Sequence, residues 1–224
     1  MLLAVVLAGC GQDVDPPWQL DHDRIIAVRS TPPRIASGEV AEVDALLGRV
    51  GQPPIEVDPA MATVVSPTVL EGALAEQGGR WTVTAPEAPQ LAAARSELGL
   101  AADAPVPLRV RVTFAETDKV GLKVVWLGEH SDNPVLDPVT IDGKDGLATA
   151  QFTVDVGVDV PLAVEFDDTH VINWLTSCGT MHDFDLAHAY LRVEPDDPTS
   201  GTIGVVVRDE LGGVAWRLWP IAAE

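Results

Sequence analysis

Imidazole, thiolate and carboxylate are the side chains that bind zinc or copper, and one stretch near the carboxy terminus gathers all three: His170, Cys178, His182, Asp183, Asp185 and His188. Cys178 and His182 flank Gly179, Thr180 and Met181, a segment that could turn and bring sulfur and nitrogen together. The spacings match neither a zinc finger nor a facial triad. The competing reading makes Cys178 a buried core thiol and leaves the histidines on a surface loop from 179 to 188. No metal and no cofactor are therefore expected, and Cys178, His182 and His188 remain the metal candidates. The acidic pairs Asp167–Asp168 and Asp196–Asp197 suggest calcium, but the twelve-residue loop with its central glycine and terminal glutamate is absent.

Other chemistries leave no signature. A serine nucleophile on a GxSxG elbow, paired zinc-peptidase histidines one helical turn apart and a GxxxxGK phosphate loop are all missing, so no catalytic residue is assigned and the chain is not expected to be an enzyme. The rival from another class is a metal-dependent or hydrolytic enzyme built on the Cys178, His182 and His188 region. Among the six tryptophans, Trp216 and Trp219 face opposite sides of a regular strand. Trp216 shares its face with Val214 and Leu218 and reads as core. Trp219 falls beside Arg217, and it is the candidate for packing on another domain or stacking on a ligand.

Charge narrows the partners. Asp and Glu number 34 against 14 Lys and Arg, a formal net charge of −20, and the cations are scattered singly. Such a field repels polyanions, which excludes nucleic acid as the expected partner and suits a well-solvated surface. With two cysteines in all, Cys10 and Cys178, the fold must rest on packing and not on a disulfide framework.

The amino terminus carries an address. Leu2 to Ala8 is an unbroken apolar run, too short to span a bilayer but suited to the core of a signal peptide, although no charged residue precedes it. The run ends in Leu7, Ala8, Gly9 and Cys10, which resembles the lipobox of bacterial lipoproteins. That resemblance implies removal of residues 1–9, lipid on Cys10 and attachment to a membrane through it. Gly11, where an aspartate would retain the protein in the inner membrane, implies the outer membrane. Residues 10–22, polar and proline-containing, read as a lipidated tether.

The rest of the chain reads as strands. Residues 24–29 and 40–47 alternate or run apolar around a proline corner at 30–33, and Val106 to Phe114 answers Val120 to Leu127 as a hairpin. The proline-rich 51–67 segment suits edge strands and loops. Residues 87–98, alanine-rich, with an early proline and Gly99 after them, predict a short crossover helix. Beyond a loop at 129–138, strands are expected at 148–156, 160–166, 170–177, 189–193, 202–208 and 214–221. The fold class is all-β, one or two antiparallel sandwiches, with domains at 23–128 and 129–224. The early strand pair, together with Trp174 to Gly179, Val207 to Asp209, Gly212 to Val214 and Trp216, resembles uncharacterised bacterial lipoproteins with immunoglobulin-like domains. The resemblance implies a non-catalytic envelope protein that serves structure or binds an envelope protein or glycan.

Overall fold

The computed structural model describes residues 16–224. The expected signal peptide, Cys10 and the first part of the expected tether lie outside the described residues.

The first half of the chain forms β1 (Arg24–Thr31), β2 (Arg34–Ile35), β3 (Val40–Arg49), β4 (Gln52–Val57), β5 (Met61–Ser66), a 3-10 turn (Thr68–Ala73), β6 (Leu74–Gln77), β7 (Arg80–Thr84), α1 (Ala88–Leu98), β8 (Val106–Thr113) and β9 (Val120–Leu127). β8 and β9 pair from Val106–Leu127 to Thr113–Val120, and the β8 alternation places Val106, Leu108, Val110 and Val112 inward. With β2 and β5 they make sheet I, in the order β2-β9-β8-β5. Sheet II runs β1-β3-β7-β6, with β4 on the other half of the β3 edge that β7 occupies. α1 starts on a capping box between Glu87 and Gln90 and stops at Gly99, whose φ of 65° is the left-handed conformation glycine adopts without strain. Leu91 and Ala94 bury that helix against the sandwich.

The second half forms β10 (Val139–Ile141), β11 (Lys144–Asp145), β12 (Phe152–Val154), β13 (Asp159–Val164), β14 (Val171–Thr176), β15 (Thr180–His182), β16 (His188–Arg192), β17 (Ser200–Arg208) and β18 (Val214–Ala223). Sheet III is β12-β18-β17-β14 and sheet IV is β11-β10-β13-β16-β15. The β10 to β11 hairpin and β15 have no counterpart among the strands expected from the sequence. Both are two or three residues long, shorter than any periodicity can reveal.

Two cores follow. One, between sheets I and II, holds Ile35, Val43, Leu47, Val83, Leu108 and Val125. The other, between sheets III and IV, holds Val139, Leu162, Trp174, Leu191, Val205 and Trp219. A third cluster joins the two sandwiches: Ala27 and Leu46 from the outer face of sheet II meet Leu175, Val206, Val214 and Trp216 from the outer face of sheet III, together with Leu20. The layers therefore stack I, II, III, IV over part of their area. Each fully buried side chain in that seam removes apolar surface worth about 1.5–3 kcal/mol before ordering costs.

The seam explains two departures from alternation. Ala45 to Gly48 in β3 and Thr202 to Val207 in β17 are buried without a break, because each strand has a core on one side and the seam on the other. It also corrects the expected tether. Trp18 packs on the second core and Leu20 is fully buried in the seam, and the Leu20 N–H donates to the Thr176 carbonyl at 2.8 Å while the Thr176 N–H donates to Trp18 at 2.9 Å. Within 10–22, the segment from Trp18 to Leu20 is part of the fold, laid along the edge of β14.

Candidate functional site

The cysteine and histidines of the sequence analysis do not converge. Cys178 follows β14, is fully buried in the second core, and donates its thiol hydrogen to the Pro198 carbonyl at 2.7 Å. Burial, and secondarily the Asp197 carboxylate, push its pKa upward, away from the thiolate a metal or a substrate would need. In β15 the buried residue is Met181, so His182 projects from the opposite, outer face of sheet IV. There it stacks flat on Tyr190, its partner in β16, with ring centroids 4.4 Å apart. His188 is exposed at the start of β16, opposite Ala163 of β13. Sulfur and imidazoles thus occupy different sides of one sheet. Among the described residues no group of three or more His, Cys, Asp or Glu side chains is placed to hold a metal ion.

The acidic pairs serve turns. Asp167 accepts from the backbone and hydroxyl of Thr169, bonds that hold its pKa below the usual carboxylate value, and Asp197 accepts from the Glu194 N–H at 2.8 Å.

The tryptophan assignments exchange places. Trp219, the ligand-stacking candidate, is 1% exposed inside the second core, stands edge-on to Phe152 and donates its indole N–H to the Gly146 carbonyl at 2.8 Å. It has no free face on which a ligand could stack. Trp216, read as core, lies in the seam between sandwiches. The two residues do face opposite sides of β18, but both sides are covered, and the sequence pattern alone cannot say by what.

Where the seam opens, a cleft of about 420 Å³ is lined by Arg29, Thr31, Glu42, Asp44, Glu56, Val57, Asp58 and Arg80. Its origin is the fork in sheet II, where β3 stops pairing with β7 and begins pairing with β4. At the floor the Arg29 guanidinium lies 3.8 Å from the Trp216 ring centroid and makes a two-point pair with Asp44, Nε to Oδ1 at 3.0 Å. Trp216 in turn donates to Glu56 Oε1 at 2.8 Å. On the wall, Arg80 binds Glu42 and approaches Asp58 at 3.9 Å; Glu42, as hydrogen-bond partner and neighbouring charge, raises the Arg80 pKa. The set comprises two guanidiniums against four carboxylates, and none of these groups is a nucleophile beside a base. In the sequence, Glu42 and Asp44 alternate with Ala41, Val43 and Ala45, the pattern of a strand with one wet face. The partners on β1, β4 and β7 are distant in sequence and left no local signal.

A second polar cluster crosses the seam. Arg208 donates to Asn173 Oδ1 at 2.7 Å and to the Ile26 carbonyl at 2.8 Å, and Asn133 bridges the Ser30 carbonyl and the Val214 N–H. Lys123, buried on β9, donates to the Gly212 carbonyl at 2.6 Å. Desolvation lowers its pKa from 10.5 to about 8, the nearby Asp209 only partly offsetting it.

No protein-family model and no curated protein matches the chain. Among solved structures it is similar to a nucleoside hydrolase-related hypothetical protein from Saccharophagus degradans, at 13% identity over 39% of this chain and 25% of that one, with a TM-score of 0.31. The chain spans about a quarter of that protein. It is also similar to the tandem Ig repeats of Dlar, at 12% identity over 88% of this chain and 97% of that one, TM-score 0.29. The third is murine CEACAM1b, at 10% identity over 88% and 100%, TM-score 0.30. The fold itself, two mainly antiparallel β-sandwiches in which β2–β9 and β12–β18 pair parallel, with one crossover helix, is all-β.

Proposed function

We propose that this chain is a non-catalytic cell-envelope protein, lipid-anchored through Cys10 at the outer membrane, in which a rigid pair of β-sandwiches serves structure or binding. The observation that carries the non-catalytic reading is the separation of the reactive side chains: the Cys178 thiol is sealed in a core while His182 and His188 face outward. The anchoring reading rests on the apolar run and on Leu7 to Cys10 in the sequence.

The docked segment from Trp18 to Leu20 fits this role. A short tether ending on the seam holds both sandwiches where they join and leaves their outer sheets facing away. Seam bonds from Lys123, Asn133, Arg208 and Trp216 keep the two halves from swinging.

Palmitate labelling of cells expressing the chain tests the anchor. Label on the wild type and its loss in Cys10→Ala, with release from the membrane fraction, is the expected outcome; label retained in the variant overturns it. Metal analysis of the purified chain tests the other half, and a stoichiometric metal lost with Cys178→Ala would favour the enzyme reading.

A further inference from the structure

Among the described residues no sheet packs on the outer face of sheet I, although Trp126 at one end of it lies against Arg34 and the Gly212 turn. β5, β8 and β9 present there, row by row, Met61 with Thr113 and Val120, Thr63 with Arg111 and Leu122, and Arg109 with Val124. Leu122 is 70% exposed and Met61 57%, with Val65 and Val120 also open to solvent. Arg109 and Arg111 lie exposed in the middle strand between these apolar flanks. An exposed sheet face combining aliphatic side chains with arginine has the composition of a protein-binding surface and not of ordinary solvated exterior.

The two arginines, like Arg49, have no carboxylate partner among the described residues, and they are neighbours on one face. Among the described residues neither makes an ion pair or a side-chain hydrogen bond, whereas Arg29, Arg34, Arg80 and Arg192 are all paired with carboxylates. The turn that follows β8 carries Glu116 and Asp118, and Asp118 is occupied by Lys119. In a chain with 34 carboxylates, two neighbouring guanidiniums left without one repel each other, a repulsion that an incoming carboxylate would relieve. Two residues apart on one strand, they stand roughly 7 Å from each other, which is the spacing of alternate side chains on any extended segment.

We infer that the outer face of sheet I docks an extended, acidic segment of a partner protein, whose inward-facing side chains are carboxylates where they meet Arg109 and Arg111 and aliphatic at the neighbouring inward positions, which cover Leu122 and Met61. An anionic bilayer fits less well, since two basic residues are too few to hold a chain of net charge −20 on it. The inference adds a partner class to the binding role proposed above and is tested separately from the anchor.

The test uses the purified full chain in neutral detergent and a labelled synthetic peptide whose alternate residues, on one face of the extended chain, read valine, glutamate, glutamate, valine with threonines between them, followed by fluorescence anisotropy. Binding that weakens with added salt is expected, and it should fall about tenfold or more in the double variant Arg109→Glu, Arg111→Glu. Leu122→Ser, a change at an exposed position, should weaken it with the circular dichroism spectrum unchanged. If the double variant misfolds, Arg109→Gln with Arg111→Gln carries the same expectation. The inference is overturned by absence of peptide binding, by equal binding of the same peptide with lysine in place of glutamate, or by insensitivity to these substitutions. It is also overturned if anionic vesicles, or self-association measured by sedimentation, show the same dependence on Arg109 and Arg111 in place of the peptide. Failure here leaves palmitate labelling at Cys10 as it was, and failure of the labelling leaves the peptide result as it was.

Discussion

The Lys123 ammonium of the first sandwich donates to the Gly212 carbonyl in the β17–β18 turn of the second, at 2.6 Å, from a side chain that is 6% exposed. The groups that act on it are Asp209 and Asp44, which favour its charge, and Arg208 and Arg29, which oppose it, while desolvation outweighs them all.

Its folded pKa of about 8 lies below the unfolded 10.5, so between these values the unfolded chain binds more protons and stability rises with pH. The penalty is full below pH 8 and disappears above 10.5, with an upper bound of about 3 kcal/mol from the size of the shift. Lys123→Met should therefore stabilise the chain at pH 7 by roughly 1–2 kcal/mol, the unpaired Gly212 carbonyl taking back part of the gain. The difference between variant and wild type should shrink toward pH 10. Urea unfolding at both pH values decides it, and a variant less stable at pH 7 would refute the argument.

Trp216 and Trp219 should fail differently when removed. Trp216→Ala deletes the seam anchor, removes the ring beneath the Arg29–Asp44 pair and takes the indole donor from Glu56, at a cost of about 3 kcal/mol. Calorimetry should then show two separate transitions where the wild type shows one. Trp219→Ala opens a cavity inside a single core and should lower the transition of the second sandwich, by about 3–5 kcal/mol, without uncoupling the first.

Gly48 has no room for a side chain. A Cβ there would lie 2.6 Å from the His22 carbonyl oxygen and 2.8 Å from that of Leu20, both backbone atoms. Gly48→Ala should push the amino-terminal segment off the seam at a cost of about 1–3 kcal/mol. Hydrogen exchange should accelerate at the Leu20 and Thr176 amides, which bond across that contact, and unchanged protection there would show that the segment is held elsewhere.

Cys178 is expected to behave as a packing residue. Cys178→Ala should cost on the order of 1–2 kcal/mol through the small cavity and the lost bond to Pro198. A small alkylating reagent at neutral pH should modify the native protein far more slowly than a free thiol. Labelling at the free-thiol rate would place the sulfur at the surface.

Much of this fold could be read from local pattern, because the relevant forces act within one strand or one helix. The alternation of Val106, Leu108, Val110 and Val112 follows from the two-residue period of a strand with one buried face. The helix 88–98 follows from the proline near its start and the glycine that ends it. The acidic balance and the missing motifs likewise needed no coordinates.

Tertiary structure decided what lies on each face. Val205, Val206 and Val207 are apolar in succession, and from the sequence they mark only a strand buried on both sides. That sheet IV covers one side and sheet II the other depends on how the sandwiches stack, and this is also why Trp216 belongs to the seam and Trp219 to the core. In the same way the short stretch from Cys178 to His182 looked like a turn that could join sulfur to imidazole. Met181 pointing inward sends His182 outward, and the sheet itself keeps the two apart. Periodicity reports that a face is covered; only the packing of distant segments determines by what.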